Sequence, residues 1–291
     1  MQQARARIDQ ALAEALRRAE AAGSPPGLVA AIRHAVFPGG ARVRPHLCLS
    51  VAAACGDGDS LLSDAAAAAI ELIHCASLVH DDLPCFDDAH TRRGLPSVHA
   101  AFGVRTAVLA GDALIVMAFE ALALGALHGP RRLPAMVAVL ARRTGLPQGI
   151  VAGQAWESEA WVALPDYQRA KTGALFAAAT ELGALAAGGD ADIWRPFGER
   201  LGEAYQVADD IRDATCDESS LGKPANKDRC LGRPSAVTEM GLPGALHHFE
   251  RLLDHARRSV PECPGAHRLR ALVGAQAERL LPAEVRAMAA A

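Results

Sequence analysis

Aromatic side chains are scarce: three Trp, two Tyr and seven Phe make up only 4% of the 291 residues. A core short of them and rich in alanine suits closely packed helices better than sheets of aromatic and β-branched residues. No clear run of alternating strand residues occurs either. Charge imbalance is also missing. The formal net charge of −3 gives no general attraction to nucleic acid or to anionic membranes, so a polyanionic substrate would have to be met by local cations or bound metal. The seven cysteines (Cys48, Cys55, Cys75, Cys85, Cys216, Cys230 and Cys263) are odd in number and form no CxxC pair. That argues against structural zinc and against a disulfide framework, and leaves reduced thiols in a cytoplasm as the simple reading. The opening segment MQQARARIDQALAEALRRAE has no apolar signal core.

What is present is apolar and helical. Hydrophobic residues make up 51% and charged residues 22%, enough to bury a sizeable core. Gly and Pro clusters divide the chain into segments of helical periodicity near 3–22, 25–35, 42–55, 61–83, 104–127, 131–144, 147–160, 166–187, 192–215, 242–260 and 265–281. The expected fold is all-α, one domain over residues 1–291. Residues 216–234 are polar, carry Gly222, Pro224, Gly232 and Pro234, and read as a loop or lid. Residues 61–80 and 106–127 are of membrane-spanning length. Asp64, Glu71 and His74 interrupt the first, and Asp112 and Glu120 the second. A mid-membrane Asp costs roughly 2.5–3.5 kcal/mol, so a helix buried on all sides in an all-α protein is the expectation for 106–127. Asp112 is then expected to make a buried structural hydrogen bond, and Trp156 and Trp161 to serve packing.

Two acidic clusters carry the chemistry. The first, His80-Asp81-Asp82-Leu83-Pro84-Cys85-Phe86-Asp87-Asp88, is followed by Arg92-Arg93-Gly94. Four carboxylates repel one another unless a cation or solvent relieves them. On a continuous helix Asp81 and Asp88 would lie about 10 Å apart, too far to share one ion. Pro84 disfavours helix at Leu83, which predicts a turn after Asp82 that returns Asp87 or Asp88 toward Asp81. The second cluster is Tyr205-Gln206-Val207-Ala208-Asp209-Asp210-Ile211-Arg212-Asp213, where Asp209 and Asp213 share a helix face. Oxygen ligands without His or Cys favour Mg²⁺ over zinc, and Mg²⁺ leaves positions for water and substrate phosphates. Basic residues accompany the clusters: Arg42-Val43-Arg44 after a Gly-Gly turn, Arg92-Arg93, Lys171-Thr172-Gly173, and Lys223 and Lys227 in the polar segment. Arginine grips phosphate oxygens in bidentate fashion. Two carboxylate walls holding a phosphorylated substrate through metal is the joint reading.

FPGGARVRP, ELIHCASLVHDDLPCFDDAHTRRGLPSVH, AVLAGDALI, AGQAWESE, YQRAKTGALF, YQVADDIRD and LGKPANKD occur in that order. With them the chain resembles the trans-isoprenyl diphosphate synthases, above all the bacterial geranylgeranyl diphosphate synthases that feed carotenoid and chlorophyll pigments. The resemblance implies an all-α bundle around a deep central cavity, usually in a homodimer. It implies condensation of isopentenyl diphosphate with allylic diphosphates (dimethylallyl, geranyl, farnesyl) on magnesium. Carried over, Asp81 and Asp87 are expected to hold two metals and Asp209 a third, with Asp82, Asp88, Asp210 and Asp213 orienting metals or their waters. Arg92, Lys171 and Lys223 are expected on the allylic diphosphate, Arg44, His74 and Arg93 on isopentenyl diphosphate, and Thr172 and Gln206 beside the reacting carbons. Where such synthases stop at fifteen carbons, a bulky aromatic stands five residues before the first aspartate. Here Ala76 stands there, which implies a deeper cavity, a floor near Leu72 and Ile73, and a twenty-carbon product. One departure is Ala41, where the family pattern has Lys; Arg42 is the candidate substitute. The alternatives are a fifteen-carbon farnesyl diphosphate synthase, a non-catalytic subunit of a hetero-oligomeric prenyl synthase, and a terpene cyclase, whose second motif usually carries an Asn/Ser/Glu pattern instead of Asp209-Asp210-Ile211-Arg212-Asp213.

Overall fold

In the computed structural model, residues 2–37, 39–56, 60–215, 235–281 and 285 are described. They are helical almost throughout: α1 Gln2–Ala19, α2 Pro26–Val36, α3 Val43–Ala54, α4 Ser60–Asp81, α5 Val98–Phe102, α6 Val104–Gly125, α7 Leu133–Thr144, α8 Ile150–Ala155, α9 Leu164–Gln168, α10 Ala174–Ala186, α11 Arg195–Thr215, α12 Ala236–Arg258 and α13 Ala266–Leu280. Among the described residues the only strands are the two-residue pair β1 Thr91–Arg92 and β2 Leu95–Pro96. The expected polar lid at 216–234, with Lys223 and Lys227, lies outside the described residues. The chain divides into two compact units. One comprises Met1–Ala53, Asp57–Leu140 and Leu182–Gly189, the other Ala54–Gly56, Ala141–Glu181 and Asp190–Ala291.

In the first unit, small residues let α4 and α6 pack closely and antiparallel. A Cβ on Gly125 would lie 2.2 Å from Ala65 Cβ, and one on Gly111 would lie 2.0 Å from His80 Nε2. The same economy holds elsewhere in the unit, where a Cβ on Gly183 of α10 would lie 2.4 Å from the Cys48 carbonyl of α3. α6 is not buried on all sides as its composition suggested. Val108, Leu109, Val116 and Leu124 are exposed along it, Val116 to 68%, because α4 occupies only one face. Asp112 makes no buried hydrogen bond; its side chain is 62% exposed, 3.9 Å from His80. Both α4 and α6 are long and apolar enough to cross a membrane by length and composition.

In the second unit, two expected helices are interrupted and a third kinks just before its expected start. The segment read as helix over 147–160 is helical only over Ile150–Ala155, with a 3₁₀ turn at Trp156–Ser158. Trp156 and Trp161 are 37% and 78% exposed and do not pack in the core. The segment read as one helix over 166–187 is α9 and α10 joined by a π-helical stretch, Arg169–Gly173, an insertion of the kind found at functional sites. α12 kinks at Gly241, whose φ of 69° and ψ of 165° break the helix two residues before Pro243.

Candidate active site

The first acidic cluster forms where α4 stops. Asp81 is its last residue, and the chain then folds back. The Asp87 N–H donates to the Asp81 carbonyl at 2.9 Å, Asp88 N–H to Leu83 at 3.0 Å, and Ala89 N–H to Asp82 at 3.1 Å. The turn places Asp87 beside Asp81, as Pro84 predicted. Asp81 and Asp87 are half-buried, and Asp88 is exposed. Asp82 is buried and grips Arg92, whose Nε lies 3.0 and 3.2 Å from its two oxygens while Nη2 also bonds Oδ1. Burial raises the Asp82 pKa above its ordinary value, with Arg92 opposing the shift. Arg93 (φ 55°) and Gly94 (φ 76°) form the two-residue turn between β1 and β2, and positive φ at both positions is the geometry that matches strand twist. Of the positive-φ non-glycine residues among those described, Arg42, Asp88 and Arg93, the last two lie in or beside this cluster, and such outliers gather at functional sites.

A basic wall stands in the same unit. A Cβ on Gly40 would lie 2.8 Å from the Arg93 guanidinium carbon, and one on Gly39 would lie 2.3 Å from Arg42 Nη2. The Gly-Gly turn is therefore the space that two arginine side chains pass through. Arg42 does not replace the Lys missing at Ala41. It is 3% exposed and bonds Glu71 at 2.7 Å and the Val36 carbonyl at 2.8 Å, so it is a structural residue. Arg44 Nη1 lies 3.4 Å from His74 Nε2. Arginine only donates, so Nε2 accepts and Nδ1 carries the proton. Burial, with Arg44, Arg93, Arg92 and Arg42 around it, holds the His74 pKa well below its ordinary value, so the ring is neutral. Its Nδ1 is sealed from solvent and has no hydrogen-bond partner among the described residues, a donor that a ligand oxygen can satisfy. A small cavity of about 40 Å³ touches Asp82, Arg92, Arg93 and Cys75. Ala76, Leu72 and Ile73 are all buried on α4.

The second unit holds the other group. A stripe of α11 at four-residue spacing faces α10, the π stretch and α9. A Cβ on Gly198 would lie 2.5 Å from Ala177 Cα, and one on Gly202 would lie 2.6 Å from Gly173 Cα. One turn further, Gln206 meets Thr172 through a short hydrogen bond, and one turn beyond that Asp210 meets Gln168 at 3.3 Å. On the opposite side of the π stretch, a Cβ on Gly153 would lie 2.3 Å from Lys171 Cα. Glycines thus clamp the stretch that presents Lys171 and Thr172. Lys171 pairs closely with Glu157, which also accepts the Tyr167 hydroxyl at 2.6 Å. Asp209 is half-buried, whereas Asp210 and Asp213 are buried. The sequence reading did not single out Glu157, Tyr167 or Gln168. Glu157 sits in AGQAWESE and the other two in YQRAKTGALF, but only the fold shows what they touch.

Among the described residues no three His, Cys, Asp or Glu side chains converge as a ready cation site. Magnesium asks for less, one or two carboxylates completed by water and phosphate oxygens. The oxygen-only pair brought together at Asp81 and Asp87 fits that demand, whereas zinc would ask for His or Cys.

The profile of the polyprenyl synthetase family matches residues 25–264. A geranylgeranyl diphosphate synthase of Cereibacter sphaeroides is 55% identical over 281 residues, covering 97% of this chain and 98% of the relative. That of Rhodobacter capsulatus is 50% identical, covering 94% and 95%. A crystal structure of a geranyltransferase from Helicobacter pylori, complexed with magnesium and isoprenyl diphosphate, superposes with a TM-score of 0.79 at 29% identity, covering 93% of this chain and 96% of that one. The chain belongs to the polyprenyl synthetase family. It is a prenyltransferase of the all-α isoprenoid synthase type.

Proposed function

We propose that this chain joins isopentenyl diphosphate head-to-tail to allylic diphosphates and releases the twenty-carbon geranylgeranyl diphosphate. The observation that carries this reading is identity of 55% and 50%, over nearly the whole chain, to two geranylgeranyl diphosphate synthases. In each cycle the allylic carbon–oxygen bond breaks and diphosphate leaves. The double bond of isopentenyl diphosphate forms the new carbon–carbon bond, and a proton is lost to the released diphosphate. Arg92 and Lys171, with Lys223 from outside the described residues, grip the allylic diphosphate. Their present partners, Asp82 and Glu157, hold these cations in place until it arrives. Arg44, Arg93 and the neutral His74, through Nδ1–H, take isopentenyl diphosphate. Asp81 and Asp87 would hold two Mg²⁺ and Asp209 a third, with Asp82, Asp88 and Asp213 around them. Bound metal neutralises the departing diphosphate. Thr172 and Gln206 turn oxygen atoms toward the developing positive charge, which is worth most in a dry apolar site.

The whole chain acts as one catalytic domain, its growing tail running in a deep cavity past Ala76. A second copy of the chain covers the apolar face that Val108, Leu109, Val116 and Leu124 leave exposed on α6, giving a cytoplasmic homodimer. The test offers the purified chain isopentenyl diphosphate with five-, ten- and fifteen-carbon allylic diphosphates, with Mg²⁺ and then with chelator, and reads product length by chromatography. Twenty-carbon product that disappears with chelator is expected. A fifteen-carbon end product would refute the length assignment, and a folded chain inactive by itself would point to the non-catalytic subunit.

A further inference from the structure

Asp210 belongs to the second aspartate cluster, yet its surroundings are not those of a metal-side group. Among the described residues, three donors converge on its carboxylate: Gln206 Nε2 on Oδ1 at 2.9 Å, Gln168 Nε2 on Oδ2 at 3.3 Å, and the backbone N–H of Ala236 on Oδ2 at 2.8 Å. Ala236 is the first residue of α12, so the carboxylate also satisfies an N–H that the helix itself leaves unpaired. Asp210 and Gln168 are 5% and 4% exposed.

The consequence lies in direction. An ionised carboxylate only accepts hydrogen bonds, while a glutamine amide has a donor end and an acceptor end. With Nε2 committed to Asp210, Gln206 must turn Oε1 the other way, and that oxygen meets the Thr172 hydroxyl. Thr172 then has to donate. Its proton points at Gln206, and its lone pairs are left for whatever lies alongside. Backbone amides cannot reverse, so the Ala236 N–H fixes the polarity of the whole chain of bonds.

We infer that Asp210 and Gln168 are positioning residues that set the polarity of the Gln206–Thr172 pair, so that oxygen lone pairs rather than a hydroxyl proton face the reacting carbons. The inference rests on the function proposed above, in which those carbons carry positive charge as diphosphate leaves. A fixed dipole aimed at developing charge acts without reorganisation, and a reversed one would oppose the same step.

Asp210→Asn tests this with an isosteric change. The Asn oxygen takes over the Ala236 and Gln168 donors, its amide nitrogen faces Gln206, and Gln206 must flip. Thr172 then accepts and presents its proton. The expected result is a kcat lower by on the order of 10²-fold, with KM for both diphosphates and the half-saturating Mg²⁺ concentration within twofold of wild type. Gln168→Leu, which removes one restraint without reversing the dipole, should lower kcat by about threefold. It keeps the inference testable if Asp210→Asn folds poorly. In a Thr172→Val background only the Gln206 oxygen remains to be oriented, so each change should cost clearly less in kcat there than in wild type, since residues acting through one network do not add. A raised Mg²⁺ requirement in Asp210→Asn, or equal losses in the wild-type and Thr172→Val backgrounds, would overturn the inference. Wild-type turnover is measured first: an inactive wild type refutes the proposed function and this inference together, whereas an active one with additive losses refutes only the inference.

Discussion

Replacing Gly202 by alanine tests whether close helix approach assembles the second half of the site. The new Cβ would lie 2.6 Å from Gly173 Cα, 3.1 Å from Phe176 Cβ and 3.2 Å from Gly173 N. Ordinary contact begins near 3.4 Å, so α11 must back away by about 0.8 Å, and two of the three obstacles are backbone atoms that cannot rotate aside. Overpacking of this kind costs about 1–3 kcal/mol, and the gain in helix propensity returns roughly 1 kcal/mol. The net loss is up to about 2 kcal/mol, or up to roughly 8 °C in Tm for a chain of this length. Gln206 lies one turn further on α11, so the same retreat pulls it from Thr172. A misplacement near 1 Å costs on the order of 10²-fold in rate. Melting followed by circular dichroism and steady-state turnover read the two effects separately. Gly27→Ala is the control, because a Cβ there meets nothing within 4 Å; it should leave kcat alone and raise stability by a few tenths of a kcal/mol. If Gly202→Ala matches Gly27→Ala in both assays, the glycine stripe does not set the approach of α11.

Glu71→Ala strands the Arg42 guanidinium in the core and should destabilise by about 3–5 kcal/mol, seen as a lower urea midpoint; an unchanged midpoint would mean the pair is not buried in solution. His74 binds its proton far less readily folded than unfolded. Stability should therefore fall as pH drops from about 7 through the unfolded value near 6.5 toward the lower folded value. His74→Gln should flatten that slope in pH-dependent melts, and an identical slope would show that the ring does not stay neutral. Ala76→Tyr should shift the main product from twenty to fifteen carbons, as read by chromatography, because a ring there would stop the tail about one helical turn, roughly 5 Å, earlier. A product of unchanged length would show that Ala76 does not line the growing chain.

The helical class, most element positions and the fold-back after Asp82 were legible from composition, periodicity and one proline. These depend on local backbone preference, which sequence neighbours decide. Pro84 forbids continuation of α4 whatever packs around it, and the Asp87–Asp81 hydrogen bond follows from the turn that results. The motifs likewise carried the family and the chemical types, since hard carboxylates and arginines keep their affinities for metal and phosphate in any fold.

Tertiary structure decided what those residues touch. Arg42 reads in sequence as one more cation beside Ala41, and only Glu71, 29 positions away, shows it to be structural. Asp112 and the two tryptophans look like core residues until packing assigns them to the surface, because an apolar run does not say how many of its faces a neighbour covers. The single helix expected over 166–187 contains a π stretch, which Gly153 and Gly202 approach closely. Asp210 differs from Asp209 by one position in sequence and by about 100° around the helix. That rotation gives Asp210 three hydrogen-bond donors among the described residues, two of them supplied by the neighbours of α11 and none by the Asp-Asp pair itself.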